Sequence, residues 1–241
     1  MVITITDLSH HKLLAVLKDD RQVTLEQFLE NIPKSAKEMI KEVCIDICPS
    51  YRSAIKKRLP QAKIVADRFH VENLAKGTLD EIRQVVQSEE GKGKSHLKEL
   101  LLKNQEELTE KEKDKLNLAF QKYQSYPALK EAYLIKEKVR LMYWSKDKLE
   151  ALNRYQHLIM LLETSRKNLY LTVLSGTMRH WQQEALNYFD NKTTNGFTEG
   201  VHTKIKMIKR VSFGFRNINN YIAKITLAFI PLLWLINYHR I

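Results

Sequence analysis

The sequence is poor in the residues that bend or crosslink a chain. Its 241 residues hold 7 glycines, 5 prolines and 2 cysteines. So little Gly and Pro disfavours a fold of many tight turns and favours long helices. Two cysteines exclude a disulfide framework, and no His or Cys cluster near Cys44 and Cys48 completes a zinc site. They read as small buried residues of a reducing compartment. No basic segment followed by an apolar run opens the chain, so no secretory signal is expected. The apolar stretch from Ile225 to Ile236 is too short to span a bilayer, and Pro231 interrupts it; it reads as a buried helix pair. Acid is missing too. After Glu199 the chain contains no Asp or Glu, whereas Lys204, Lys206, Lys209, Arg210, Arg216, Lys224 and Arg240 all follow.

What is present fits a globular, basic protein. Hydrophobic residues make up 44%, which argues against disorder, and the formal net charge is +12. That excess favours a polyanionic partner, nucleic acid before membrane.

The order of elements is informative. Val2 to Thr6 alternates as a strand does, with Val2, Thr4 and Thr6 on one face and Ile3 and Ile5 on the other. Asp7 to His11 reads as a turn, and Leu13 to Leu17 as the second strand of a hairpin. Thr24 with Gln27 has the spacing of a capping box before the helical series Leu25, Phe28, Leu29 and Ile32. Pro33 ends that series, and a second helical stretch carries Met39 and Ile40. Val43 to Ile45 is a short buried strand ending in Asp46; Pro49 opens a helix; Lys63 to Ala66 is a strand ending in Asp67. The order β-β-α-β-α-β predicts an α/β fold whose sheet has parallel members. From Val71 to about Asp190 only helices are expected. Thr109 with Glu112 forms a capping box there, Gly91 to Lys94 is the most linker-like spot, and Trp144 and Trp181 read as core.

The last section has the sharpest local pattern. Asn191 to Gly196 suits a turn and helix cap. In the helix that follows, Phe197, Val201, Ile205 and Ile208 form an apolar stripe, while Glu199, Lys206 and Arg210 share another face. One carboxylate heading an otherwise basic segment suits a metal held beside a phosphate backbone.

Two blocks then carry a resemblance. The first is Val43-Cys44-Ile45-Asp46, Pro49, Tyr51, Ala54, Leu59-Pro60-Gln61-Ala62 and Val65-Ala66-Asp67-Arg68-Phe69-His70. The second is Tyr188-Phe189, Thr194-Asn195-Gly196, Glu199-Gly200, Lys204-Ile205-Lys206, Lys209-Arg210 and Phe213 to Asn217. In this order they resemble the DDE domain of bacterial insertion-sequence transposases of the ISL-three group. The resemblance implies a ribonuclease H-like mixed sheet interrupted by a large all-helical insertion. It divides the chain into residues 1–70, the first part of the DDE domain; 71–190, the insertion; and 191–241, the closing helices with the basic tail.

The family's second catalytic Asp matches Asp46 and its Glu matches Glu199. Its first Asp, on the first sheet strand, has no counterpart, and only two of three opening strands are seen. The expectation is therefore an N-terminally truncated fragment, inactive alone. Asp7 matches a turn residue, and His202 stands where the family commonly has Asn.

The implied chemistry is DNA cleavage and strand transfer by two-metal phosphoryl transfer, with Asp46 and Glu199 holding Mg²⁺ or Mn²⁺. Lys204, Lys206, Lys209, Arg210 and Arg216 are the candidate DNA-binding residues, and Asp67 and His70 are candidates to line the site. Partners would be transposon ends and target DNA, within a homo-oligomeric synaptic complex and without a membrane. The location implied is a bacterial cytoplasm, at the nucleoid.

Other readings stand beside these. Asp46 could cap the helix near Pro49, Glu199 could be a first-turn acid favoured by the helix dipole, His70 a satisfied core histidine, and the lysines a solvated face. As a whole, the chain could be an inactive remnant that binds DNA or pairs with intact transposase.

Overall fold

The computed structural model describes residues 2–89, 97–124, 126–165 and 168–230. The chain forms two compact units: Met1–Ile64 together with Thr194–Ile241, and Val65–Thr193.

The first unit opens with strands β1 (Ile3–Asp7) and β2 (Lys12–Leu17), paired antiparallel. Ile5 faces Ala15 but Thr6 faces Leu13, so Leu14 is an extra residue. Such a bulge re-aims side chains. Here Leu14 turns to solvent, while Leu13 and Val16 pack inward. Helices α1 (Gln22–Asn31) and α2 (Lys34–Met39) follow, then strand β3 (Glu42–Ile45) and helix α3 (Pro49–Arg58). α1 packs on α3. Leu25 and Leu29 are buried on α1, as are Ala54 and Ile55 on α3, and Lys57 reaches Glu26 at 2.7 Å.

Two later helices complete this unit, α11 (Gly196–Val211) and α12 (Ile218–Phe229). Val201, Ile205 and Ile225 form its core cluster, with Leu13, Val16, Phe197, Tyr221 and Phe229 packed against it. Each large apolar side chain so buried contributes roughly 1.5–3 kcal/mol. The apolar stripe expected on α11 is the face that packs: Val201, Ile205 and Ile208 are buried and Phe197 partly so.

Strand β4 (Lys63–Ala66) begins at the end of the first unit, where Lys63 N–H donates to Lys41 O at 2.8 Å. The second unit is helical among its described residues from that strand on. It comprises α4 (Arg68–Glu89), α5 (Leu97–Leu102), α6 (Glu110–Lys122), α7 (Pro127–Met142), α8 (Lys148–Thr164), α9 (Leu169–His180) and α10 (Gln182–Asn191). α4 buries Val71, Ala75, Leu79, Ile82 and Val86, the spacing of one helix face, and packs on α7 and α9. The expected capping box of α6 is present: Thr109 Oγ1 accepts from Glu112 N–H, and the Glu112 carboxylate accepts from Thr109 N–H.

Several expectations need correction. Thr24 does not cap α1, which starts at Gln22 with Arg21 as its N-cap and no side-chain cap bond. The expected α/β character holds, and the described strands make two two-stranded sheets, β1–β2 and β3–β4. Cys44 and Cys48 are only half-buried. Trp181 is core, whereas Trp144 is exposed, with the Arg140 guanidinium 4.6 Å from its ring centroid. α12 ends at Phe229, so the rest of the expected helix pair lies outside the described residues, as does Gly91 to Lys94.

Candidate metal and nucleic-acid site

Asp46 follows the last residue of β3. The N-cap of α3 is Cys48, which makes no side-chain cap bond, so Asp46 does not occupy the capping position. Its Oδ1 accepts instead from Asn195 Nδ2 at 3.2 Å.

Asn195 is the junction of the site. It is only 7% exposed and is the N-cap of α11, yet its side chain makes no cap bond. Its amide goes to Asp46, while its backbone oxygen accepts from Glu199 N–H at 2.9 Å. One residue thus ties the carboxylate after β3 to the helical turn that carries Glu199.

α11 is also fastened to β1. Thr6 and Thr198 hydroxyls are hydrogen-bonded at 2.7 Å, and Thr4 Oγ1 lies 2.6 Å from His202 Nε2. The other ring nitrogen of His202 is 3.8 Å from Glu199 Oε1, an ion-pair distance when the ring is protonated. Thr4 and Thr6, which share one face of β1, are therefore the residues that grip the helix. Neither the junction role of Asn195 nor the bridging position of His202 was read from the sequence. The available signal was the pair of threonines alternating with Ile3 and Ile5.

Glu199 is the acid of the first turn of α11, with 43% of its side chain exposed. Such a position is also favourable to the helix dipole. Burial pushes the Tyr51 hydroxyl up, and the charges of Cys48, Asp20 and Asp46 add in the same direction, keeping it a proton donor. Asp7 is occupied locally, accepting from Ser9 N–H at 2.9 Å and lying 2.7 Å from His10 Nδ1; that imidazole bond holds its carboxyl below the usual range. Among the described residues no three His, Cys, Asp or Glu side chains come together as a metal cluster.

The basic candidates separate into two kinds. Lys204 is committed to structure, its Nζ donating to Ala228 O at 2.5 Å and lying 4.3 Å from the Phe229 ring centroid. That anchors the last turn of α12, where helix carbonyls favour a cation. Lys206, Lys209, Arg210 and Arg216 are exposed and pair with no acid among the described residues.

Asp67 and His70 belong to the second unit. Asp67 is 2% exposed and precedes α4; its Oδ2 accepts from His70 N–H at 3.3 Å and lies 3.1 Å from His70 Nδ1. That is helix-capping geometry.

A family profile described as transposase, of the ISL3 type, matches residues 1–225. The chain belongs to the ISL3 transposase family. Among characterised relatives, the transposase of insertion sequence element IS1001 from Bordetella parapertussis is 26% identical over 214 residues, covering 86% of this chain and 52% of its own length. The transposase of IS1557 from Mycobacterium tuberculosis is 27% identical over 256 residues, covering 89% of this chain and 56% of its own. The chain thus spans about half the length of these relatives. No solved structure matches. Among the described residues, no helix of this family member is long and apolar enough to cross a membrane.

Proposed function

We propose that this chain is part of a DNA transposase that cleaves and joins strands by metal-assisted phosphoryl transfer, with Asp46 and Glu199 as two of its acidic ligands. The observation that carries this reading is Asn195, bonded to Asp46 by its amide and to the Glu199 turn by its backbone. Two carboxylates and an amide are hard oxygen donors, the set that Mg²⁺ or Mn²⁺ prefers over imidazole or thiolate sites. When bound, the metal would activate a nucleophile and stabilise the leaving oxygen. The chain's own residues orient the acids: Asn195 fixes Asp46, His202 lies beside Glu199, and the Thr6–Thr198 bond holds α11 on β1. Lys206, Lys209, Arg210 and Arg216 would neutralise phosphates of transposon ends and target, in a homo-oligomer at the nucleoid.

In this reading residues 1–70 and 191–241 are parts of one ribonuclease H-like domain and 71–190 are its insertion.

The test is strand transfer on transposon-end DNA, with Mn²⁺ binding by the 241-residue chain as a second readout. Asp46→Ala and Glu199→Ala should each lower the rate by at least about 10²-fold. In the 241-residue chain each should also weaken the Mn²⁺-dependent rise in Tm. Full activity in both variants rejects the assignment.

A second reading, an inactive DNA-binding or transposase-interacting remnant, is favoured by the unpaired basic face alone. It predicts salt-sensitive DNA binding by the 241-residue chain with no dependence on Asp46 or Glu199.

A further inference from the structure

α11 ends in a turn built for glycine but occupied by phenylalanine. Gly214 N–H donates to Lys209 O at 2.9 Å and Phe213 N–H to Arg210 O at 3.1 Å, the two bonds of a Schellman motif. The left-handed residue of that motif is usually Gly. Here it is Phe213, with φ 53°, and the glycine comes one position later at φ 90°. A bulky side chain in that backbone region is an outlier. Nor does packing repay it, because Phe213 is fully exposed at 101%. The neighbouring aromatic behaves differently, with Phe215 lying against Tyr221 at a 4.8 Å centroid distance.

The surroundings of the ring say what it meets. Lys209, Arg210 and Arg216 are exposed within four residues of it, and no acid follows Glu199. A protein surface that buried this aromatic would have to accommodate those cations as well. A nucleic acid offers phosphates for the cations and a π face for the ring.

We propose that Phe213 is a stacking wedge for an unpaired base of a DNA strand lying along α11. This rests on the DNA-transposase reading and adds a base-contacting residue to it. About 21 Å of helix rise separates Phe213 from Glu199. At 3.4 Å per nucleotide the stacked base sits about six nucleotides from the strand position at Glu199.

The experiment uses the 241-residue chain and oligonucleotides with a single-stranded overhang, 2-aminopurine being moved along it one position at a time. The wild type and Phe213→Trp should change the emission at one position by about twofold or more. Phe213→Ala should abolish that change and bind the overhang about 5- to 100-fold more weakly, with blunt duplex affinity unaffected. Phe213→Gly should lose the signal equally while its Tm is no lower than wild type, because glycine suits the turn. An unchanged signal in Phe213→Ala overturns the wedge and leaves the DNA reading standing. So does a changed oligomeric state on sedimentation with no base signal in any form, which would make Phe213 a protein contact. Absence of all DNA binding at low salt overturns both.

Discussion

The two units treat charge in opposite ways. In the helical unit, charges are drawn into the interior and answered there: Lys136, Glu137 and Arg140 on α7 are 2%, 3% and 6% exposed. Lys136 Nζ donates to Leu101 O and Lys103 O at 3.0 and 2.7 Å, where the carbonyls ending α5 need donors. Arg140 bonds Glu137 at 2.7 Å and Glu106 at 2.6 Å. In the other unit, α11 keeps its apolar stripe inward and leaves Lys206, Lys209 and Arg210 outside without acids. Charge answered within the chain stabilises a fold; charge left unanswered is available to a partner.

The largest effect that would sharpen this contrast is on stability. Glu137→Ala leaves Lys136 and Arg140 buried without their common partner, and should cost about 3–5 kcal/mol. Lys209→Ala on the exposed face should stay within about 0.5 kcal/mol. Urea unfolding of both variants measures the difference, and equal losses would break the comparison.

Next comes Asn195→Ala. It removes a hydrogen bond worth about 1 kcal/mol in stability, yet it frees Asp46 from the helix that carries Glu199. Mn²⁺ affinity should fall by about 10- to 100-fold, as for other residues that orient metal ligands. A titration followed by Tm separates the two effects. Loss of stability with unchanged affinity would reduce Asn195 to a structural role.

Much of this was legible in the sequence, for reasons that differ by residue. The order of strands and helices followed from local periodicity, and the α6 capping box from Thr109 and Glu112, because those bonds close within four residues. Asp46 and Glu199 came from the family likeness, since nothing local tells a ligand from a helix cap. What the sequence hid was long-range. Thr24 had the spacing of a cap, but α1 already begins two residues before it. Asn195 looked like an ordinary cap, and only the fold brings it to a residue 149 positions away. The buried charges of α7 fall at 136 and 140, continuing the stripe of Leu129, Ala132 and Tyr133; a cation on a core stripe was the signal, and the carbonyls it serves lie on another helix.

Smaller effects refine the picture. Alanine at Lys206, Lys209, Arg210 or Arg216 should lower the slope of log affinity against log salt by about 1 each. Lys204→Ala should hardly change that slope but should lower Tm, because its ammonium serves the end of α12. Equal slopes for all five would place Lys204 on the DNA as well.

The smallest effect is one of pH, in the unit without the candidate site. The Lys103 ammonium, followed by the backbone and hydroxyl of Thr109, holds the Glu112 carboxyl down to about 2 from an ordinary 4.5. A group whose pKa is lower in the folded chain contributes stability above its unfolded value and loses it as it is protonated. Its contribution should therefore be complete above about pH 4.5 and fade as the pH falls towards about 2. Glu112→Gln keeps an acceptor for Thr109 but has no charge to lose. Its urea midpoint should lie below that of the wild type at pH 6, with the two curves converging in acid. Parallel curves down to pH 2.5 would show that the Lys103–Glu112 pair is an incidental surface contact, and that this unit owes its charge-based stability to the buried α7 cluster alone.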